Sequence, residues 1–156
     1  MFDTRLRLIL FDFDGTLCDS AATIIRLIKQ ACAACDLPVP EDSFIRGNIG
    51  HGVSHAALAY ADGDLEKASQ LAEVYRNIAC NEYLSGQPPL DPLFDGAEVI
   101  LRTLQSKGYL TGIITNKSRT GLDSLITRHG IDQQVDLTIS ADDCTVKPAP
   151  DMALLA

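Results

Sequence analysis

The stretch "LILFDFDGTLCDS", residues 8–20, decides the fold. Leu8, Ile9, Leu10 and Phe11 run into two aspartates, Asp12 and Asp14, with only Phe13 between them. A short apolar run that ends at a glycine turn reads as a buried strand, here expected over residues 6–13. Residues two apart on extended backbone point to the same side, so Asp12 and Asp14 can reach one site. Two carboxylates held together repel unless a cation sits between them or one takes a proton. A hard cation suits them best: magnesium takes few protein carboxylates, keeps waters and completes its shell with a substrate phosphate. Gly15 lets the backbone turn tightly, and its amide can then approach an anion.

Beyond Gly15 the pattern becomes helical. Ser20 can cap a helix on which Ile24, Ile28, Ala31, Cys32 and Cys35 recur at helical spacing. Leu37-Pro38-Val39-Pro40 ends it, and a second helix starts near Glu41-Asp42. Gly47-Asn48-Ile49-Gly50-His51-Gly52 is a glycine-rich turn, followed by helical patterns at 53–61 and 64–83. "SGQPPLDPLFDG", residues 85–96, has no periodicity and reads as a linker. A helix fits 96–106, ended by Gly108; a strand fits 109–115; a helix fits 119–129, ended by Gly130; a third strand fits 135–140. "VKPAPDMALLA" is a turn opening into another helix.

Strand, helix, strand, helix, strand is an α/β layer system with a parallel sheet. An all-helical insertion separates its first two strands. The division expected is a core of residues 1–17 and 88–156 and a helical unit of residues 18–87. Ligands in such sheets bind beyond the carboxyl ends of the strands. Those ends carry Asp12 and Asp14, then Thr115-Asn116, then Lys147-Pro148. The hydroxyl of Thr115, backbone amides near Asn116 and the N-terminus of the next helix can hold phosphate oxygens. Lys147 supplies a fixed positive charge. Together they describe phosphoryl transfer: Asp12 attacks phosphorus, Asp14 serves as acid and then base, and Thr115 and Lys147 hold the charge.

Composition narrows the alternatives. Across 156 residues the net charge is −8, which lacks the basic footprint of phosphate-backbone binding, so nucleic acid is not an expected partner. The first apolar stretch stops at Asp12, too short for a signal-peptide core, and no run is long enough to span a membrane. Five cysteines in irregular spacing point to reduced thiols and a cytoplasmic protein. Cys32-x-x-Cys35 reads as two core cysteines on one helix face, and the sequon Asn116-Lys117-Ser118 as chance.

"FDFDGTLCDS" resembles the first motif of the haloacid dehalogenase-like hydrolases; "IITN" resembles the second and Lys147-Pro148 the third. The insertion resembles the small cap of the phosphoglycolate phosphatase-like branch, and Gly47–Gly52 resembles the glycine stretch in such caps. The resemblance implies a Rossmann-like three-layer core with an inserted α-helical cap. It implies a magnesium-dependent phosphatase acting on a small-molecule phosphate ester through an aspartyl-phosphate. Asp12 falls on the nucleophile, Asp14 on the acid/base, Thr115 and Lys147 on the charge-holding pair, and the Mg2+ ligands on Asp12, the backbone carbonyl of Asp14 and an acidic fourth motif. Gly15, Thr16, Asn116, Gly50 and His51 are the expected substrate contacts.

The family's acidic fourth motif lies further along than Ala156, so the chain is expected to be C-terminally truncated, its sheet incomplete and its activity weak alone. Asp142-Asp143 precede Lys147 and stand in the wrong place to substitute. His51 and His55 share a helical spacing that can bind metal, but no acid lies near, and Arg46 reads as a surface arginine. Rival readings are a sugar phosphatase, a pyrophosphatase or a phosphomutase of the same superfamily, a receiver-like phospho-acceptor, and a non-catalytic fragment.

Overall fold

The computed structural model describes residues 7–86 and 90–156. Three short strands, β1 (Leu8–Phe11), β2 (Leu110–Ile114) and β3 (Leu137–Ile139), form one parallel sheet in the order β1-β2-β3. Leu8 pairs with Leu110 and Gly112 with Leu137, which brings the carboxyl ends of the strands to one edge. The start of the first strand at residue 6 and the 87/88 boundary lie outside the described residues.

β1 is shorter than expected because the chain turns at Phe13. The Phe13 carbonyl accepts from the amides of Thr16, Leu17 and Cys18, and Gly15 takes a φ of +80°. A side chain is strained at that angle, which is why a glycine follows Asp14. β3 is likewise trimmed at both ends; just before it, Asp136 N donates to Thr111 O (2.8 Å) and the Asp136 carboxylate accepts from the Thr111 amide (2.7 Å).

Between β1 and β2 come α1 (Ala21–Ala34), α2 (Asp42–Gly47), α3 (Val53–Tyr60), α4 (Leu65–Ser85) and α5 (Ala97–Ser106). α6 (Arg119–His129) and one 3-10 turn (Asp132–Gln134) lead into β3, and α7 (Asp151–Leu155) follows it. α4 has a strong start and stop. Asp64 accepts from the amides of Glu66 and Lys67, and those bonds hold its carboxyl below the usual range. Gly86 closes the helix in the left-handed conformation.

Two apolar clusters form. One gathers Phe13, Leu17, Leu101, Ile113, Leu122 and Ile131 around the sheet. The other gathers Ile25, Ile28, Cys32, Ile45, Tyr60 and Leu71 within the insertion. α1 and α4 serve both: Leu27, Ala79 and Tyr83 belong to the first cluster, Ile28 and Leu71 to the second. Cys32 is fully buried, and Cys35 packs at the rim of the same cluster. The two chain crossings into the insertion lie side by side, with Asp19 N donating to Pro92 O (2.8 Å) and Phe94 N to Leu17 O (2.9 Å).

Candidate active site

β1 ends at Asp12, whose side chain is about one-third exposed, and β2 ends at Thr115, which is 1% exposed. Parallel pairing puts these tips together, and the loop after β3 brings in Lys147. Its Nζ lies 2.8 Å from Asp12 Oδ1 and donates to the Ile114 carbonyl at 3.1 Å. The Lys147-Pro148 peptide is cis. The backbone of Lys147 is clasped by Asn116: its Oδ1 accepts from Lys147 N (2.8 Å), and its Nδ2 donates to Lys147 O (3.1 Å) and to Gly50 O (2.9 Å). The side chain of Asn116 thus joins the loops after β2 and β3 to the glycine-rich loop of the insertion. Close packing reinforces this, since a Cβ on Gly52 would stand 3.0 Å from Val146 Cγ2.

Asp14 faces a different set of partners. Its Oδ1 accepts from Ser20 Oγ (2.6 Å) and from Lys117 Nζ (3.0 Å). Ser20, expected to cap α1, makes no cap hydrogen bond, because its buried hydroxyl is turned toward the carboxylate. The ammonium of Lys117 also sits over the Tyr83 ring, 4.9 Å from its centroid. Burial opposes this charge, but Asp14 and the phenols of Tyr83 and Tyr75 outweigh it and hold the ammonium above the ordinary lysine range. Burial pushes the Cys18 thiol up to about 12, with Asp14 adding to it, so this cysteine is not a nucleophile.

The cleft above the strand tips has a volume of about 110 Å3, is partly open to solvent, and is lined by Asp14, Thr115, Asn116 and Lys117 on the core side. The insertion contributes Ile24, Ile28, Ile45, Ile49 and Tyr75, with Gly50, His51 and Arg76 as its polar part. Asp12, Gly15, Thr16 and Lys147 stand outside this lining. Gly15 and Thr16 are exposed in the turn after β1.

One expectation changes in detail. The first amides of α6 are not all free for an anion: Arg119 N donates to Asp142 Oδ2 and Gly121 N to Ser118 Oγ. Asp142 and Asp143 serve Arg119 and the Ser140 backbone. His51 and His55 are exposed with ring centroids 5.3 Å apart, and among the described residues no group of three metal-ligating side chains occurs. Lys117, Tyr83 and Arg76 escaped the sequence reading of the site, and Ser20 was read only as a helix cap. Lys117 left a trace as the residue after Thr115-Asn116.

For magnesium, the donor set is hard oxygen but incomplete. Asp12 Oδ1 is engaged by Lys147 and the Phe13 amide at 2.7 Å, which leaves Oδ2 for an ion. Asp14 Oδ1 is engaged as described. Two carboxylates at one edge, with room for waters and a phosphate oxygen, fit the ion's habit.

The parallel α/β core, the inserted helices and this cluster of acid, hydroxyl and lysine at the strand tips define a hydrolase of one superfamily. The chain belongs to the haloacid dehalogenase-like hydrolases, whose family profile matches residues 9–156. It is 33% identical over 151 residues to a phosphoglycolate phosphatase of Xanthomonas campestris, covering 96% of this chain and 67% of that one. It is 30% identical over 154 residues to an N-acetylmuramic acid 6-phosphate phosphatase of Pseudomonas putida, covering 97% and 68%. The chain thus spans about two-thirds of the length of these curated relatives. A solved structure from Bacteroides fragilis, described as a haloacid dehalogenase-like hydrolase, superposes with a TM-score of 0.85 at 26% identity, over 97% of this chain and 71% of that one. A β-phosphoglucomutase from Clostridium difficile shares the fold at 18% identity, with a TM-score of 0.76 over 97% and 69%. Among the described residues, no helix is long and apolar enough to cross a membrane.

Proposed function

We propose that this chain carries the catalytic residues of a magnesium-dependent phosphate monoester hydrolase that works through an aspartyl-phosphate on Asp12. The observation that carries the reading is the contact of Lys147 Nζ with Asp12 Oδ1 at 2.8 Å, at the tip of the strand beside Thr115. An Asp12 oxygen attacks phosphorus in line, and the bond to the leaving oxygen breaks. Asp14 gives that oxygen a proton, then takes one from the water that attacks the phosphoenzyme, releasing phosphate and restoring Asp12. The Thr115 hydroxyl, which accepts from Lys117 N at 3.2 Å, keeps its own hydrogen for a phosphate oxygen. Lys147 balances the charge of the carboxylate and the incoming phosphoryl group. Magnesium would be held by Asp12 and the backbone carbonyl of Asp14, and when bound would supply further positive charge to the phosphate.

In this reading residues 18–87 form a cap over a core of residues 1–17 and 88–156, and Gly50 and His51 meet the substrate's leaving group. A small phosphorylated metabolite such as phosphoglycolate is the first candidate, since relatives bear that name. A phosphorylated sugar acid is the second, because a relative is named for one and the insertion side of the cleft is largely apolar, with Arg76 as a cation. The irregular spacing of its five cysteines supports a cytosolic setting for this activity.

The experiment is phosphate release in magnesium from phosphoglycolate, hexose phosphates, a sugar-acid phosphate and pyrophosphate, by the chain and by Asp12→Asn. Metal-dependent release from monoesters, lost in the variant, supports the reading; release that persists in Asp12→Asn overturns it.

A further inference from the structure

Lys117 belongs to the core, two residues beyond Thr115, yet its charged end lies under the insertion. Its side chain is 6% exposed, with Nζ 3.0 Å from Asp14 Oδ1. Its other neighbour is the Tyr83 ring, on the last turns of α4. An ammonium with so little access to water is tolerated only when its partners are well placed. α6 closes this cage from the core side. Ser124 Oγ donates to the Tyr83 carbonyl at 3.2 Å, and a Cβ on Gly121 would stand 3.0 Å from Tyr83 Cε2 and 3.3 Å from Lys117 Cε. The absence of a side chain at Gly121 therefore lets the tyrosine and the lysine lie against the helix. Asp14 in turn has both partners on one oxygen, Ser20 and Lys117, so its carboxylate has one preferred direction.

We propose that Lys117 is a positioning residue that aims Asp14 at the cleft, and that Tyr83 holds Lys117 in place, so that the seating of α4 is transmitted to the acid/base. This rests on the reading of Asp14 as the proton-transfer group. Lys117 lines the cleft, so direct contact with substrate is the competing role. The two separate kinetically. A residue that aims an acid/base acts on kcat, whereas one that holds substrate equally before and during reaction acts on KM.

The test uses the whole chain in magnesium with Lys117→Met, Lys117→Arg, Tyr83→Leu and the Met/Leu double variant, beside Asp12→Asn. Lys117→Met is expected to lower kcat by about tenfold or more while KM moves by less than about twofold. Lys117→Arg recovers part of the loss. Tyr83→Leu lowers kcat in the parent chain but adds nothing to Lys117→Met. A loss confined to KM, an unchanged kcat in Lys117→Met, or additive effects of the pair overturns the inference. A further readout needs no turnover: the 15N-resolved ammonium signal of Lys117 is expected to shift in both Asp14→Asn and Tyr83→Leu, and a signal indifferent to Tyr83→Leu overturns the tie. Turnover lost in Asp12→Asn but untouched in Lys117→Met removes this inference and leaves the hydrolase reading standing. Turnover indifferent to Asp12→Asn removes that reading, and the ammonium signal then decides the tie alone.

Discussion

Lys147 Nζ stands 2.8 Å from Asp12 Oδ1, joining the loop after β3 to the tip of β1. Both side chains keep a quarter or more of their surface in water, so the pair adds little to stability. Its value lies in charge placement. Asp12→Asn is expected to lower phosphate release by at least about 10³-fold, and Lys147→Ala by about 10²-fold. The melting temperature of Lys147→Ala should stay within about 3 °C of the parent, as for other exposed ion pairs. A large loss of stability with activity retained would assign the pair a structural role instead.

Asn116 uses its whole side-chain amide on Lys147 N, Lys147 O and Gly50 O. Asn116→Ala leaves these backbone groups without that partner and should destabilise by about 1–3 kcal/mol. It should also lower kcat, because the backbone that carries Lys147 loses its clasp. Asn116→Asp keeps an acceptor for Lys147 N but no donor, so its stability should fall between the two. Urea unfolding and steady-state kinetics on the same samples check both effects.

Gly112 lies at the middle of β2, between β1 and β3. A Cβ there would stand 2.7 Å from Leu10 Cδ2 and 2.9 Å from Leu137 Cδ1. Gly112→Ala is expected to cost about 1–3 kcal/mol through overpacking. Pairing it with Leu137→Val should restore part of that loss. A urea midpoint unmoved by Gly112→Ala would show that the two leucines swing aside freely.

His129 ends α6 with its Nε2 buried and without a hydrogen-bond partner. Burial lowers its proton affinity below that of an ordinary histidine, and Arg128 adds to that, against a hydrogen bond to the Asp91 backbone. Below about pH 6.5 the unfolded chain therefore binds a proton more readily than the folded one, so stability rises with pH there. Stability is full above this pH and falls as acid is added toward the folded value. His129→Gln should shrink the difference in melting temperature between pH 7.5 and pH 5.5, by about 1–3 °C. Equal pH dependence in both chains would contradict this.

Much of the architecture was legible because local rules act on local sequence. "LILF" before two aspartates and a glycine reads as strand and turn, and "YLTGIIT" and "VDLTIS" as the next strands. The helices at 53–60, 65–85, 97–106 and 119–129 follow the apolar spacing and the stop at Gly130 to within two residues. The strands were overestimated at their ends. There the turn at Phe13 to Cys18 and the carboxylate of Asp136 take up backbone groups, and a periodicity argument does not weigh that competition.

Asp12, Asp14, Thr115 and Lys147 were marked by the sequence itself, since each follows a strand and parallel strands deliver their carboxyl ends to one edge. Which carboxylate meets which cation was decided only by the tertiary structure. Lys147 went to Asp12, and Lys117, buried beneath α4, went to Asp14 beside a serine expected to cap a helix. Such pairings depend on how a helix of the insertion lies against α6, which the spacing of residues along the chain does not encode. A charge gains its partner from packing and desolvation in three dimensions, whereas a strand or a cap draws on neighbours a few residues away.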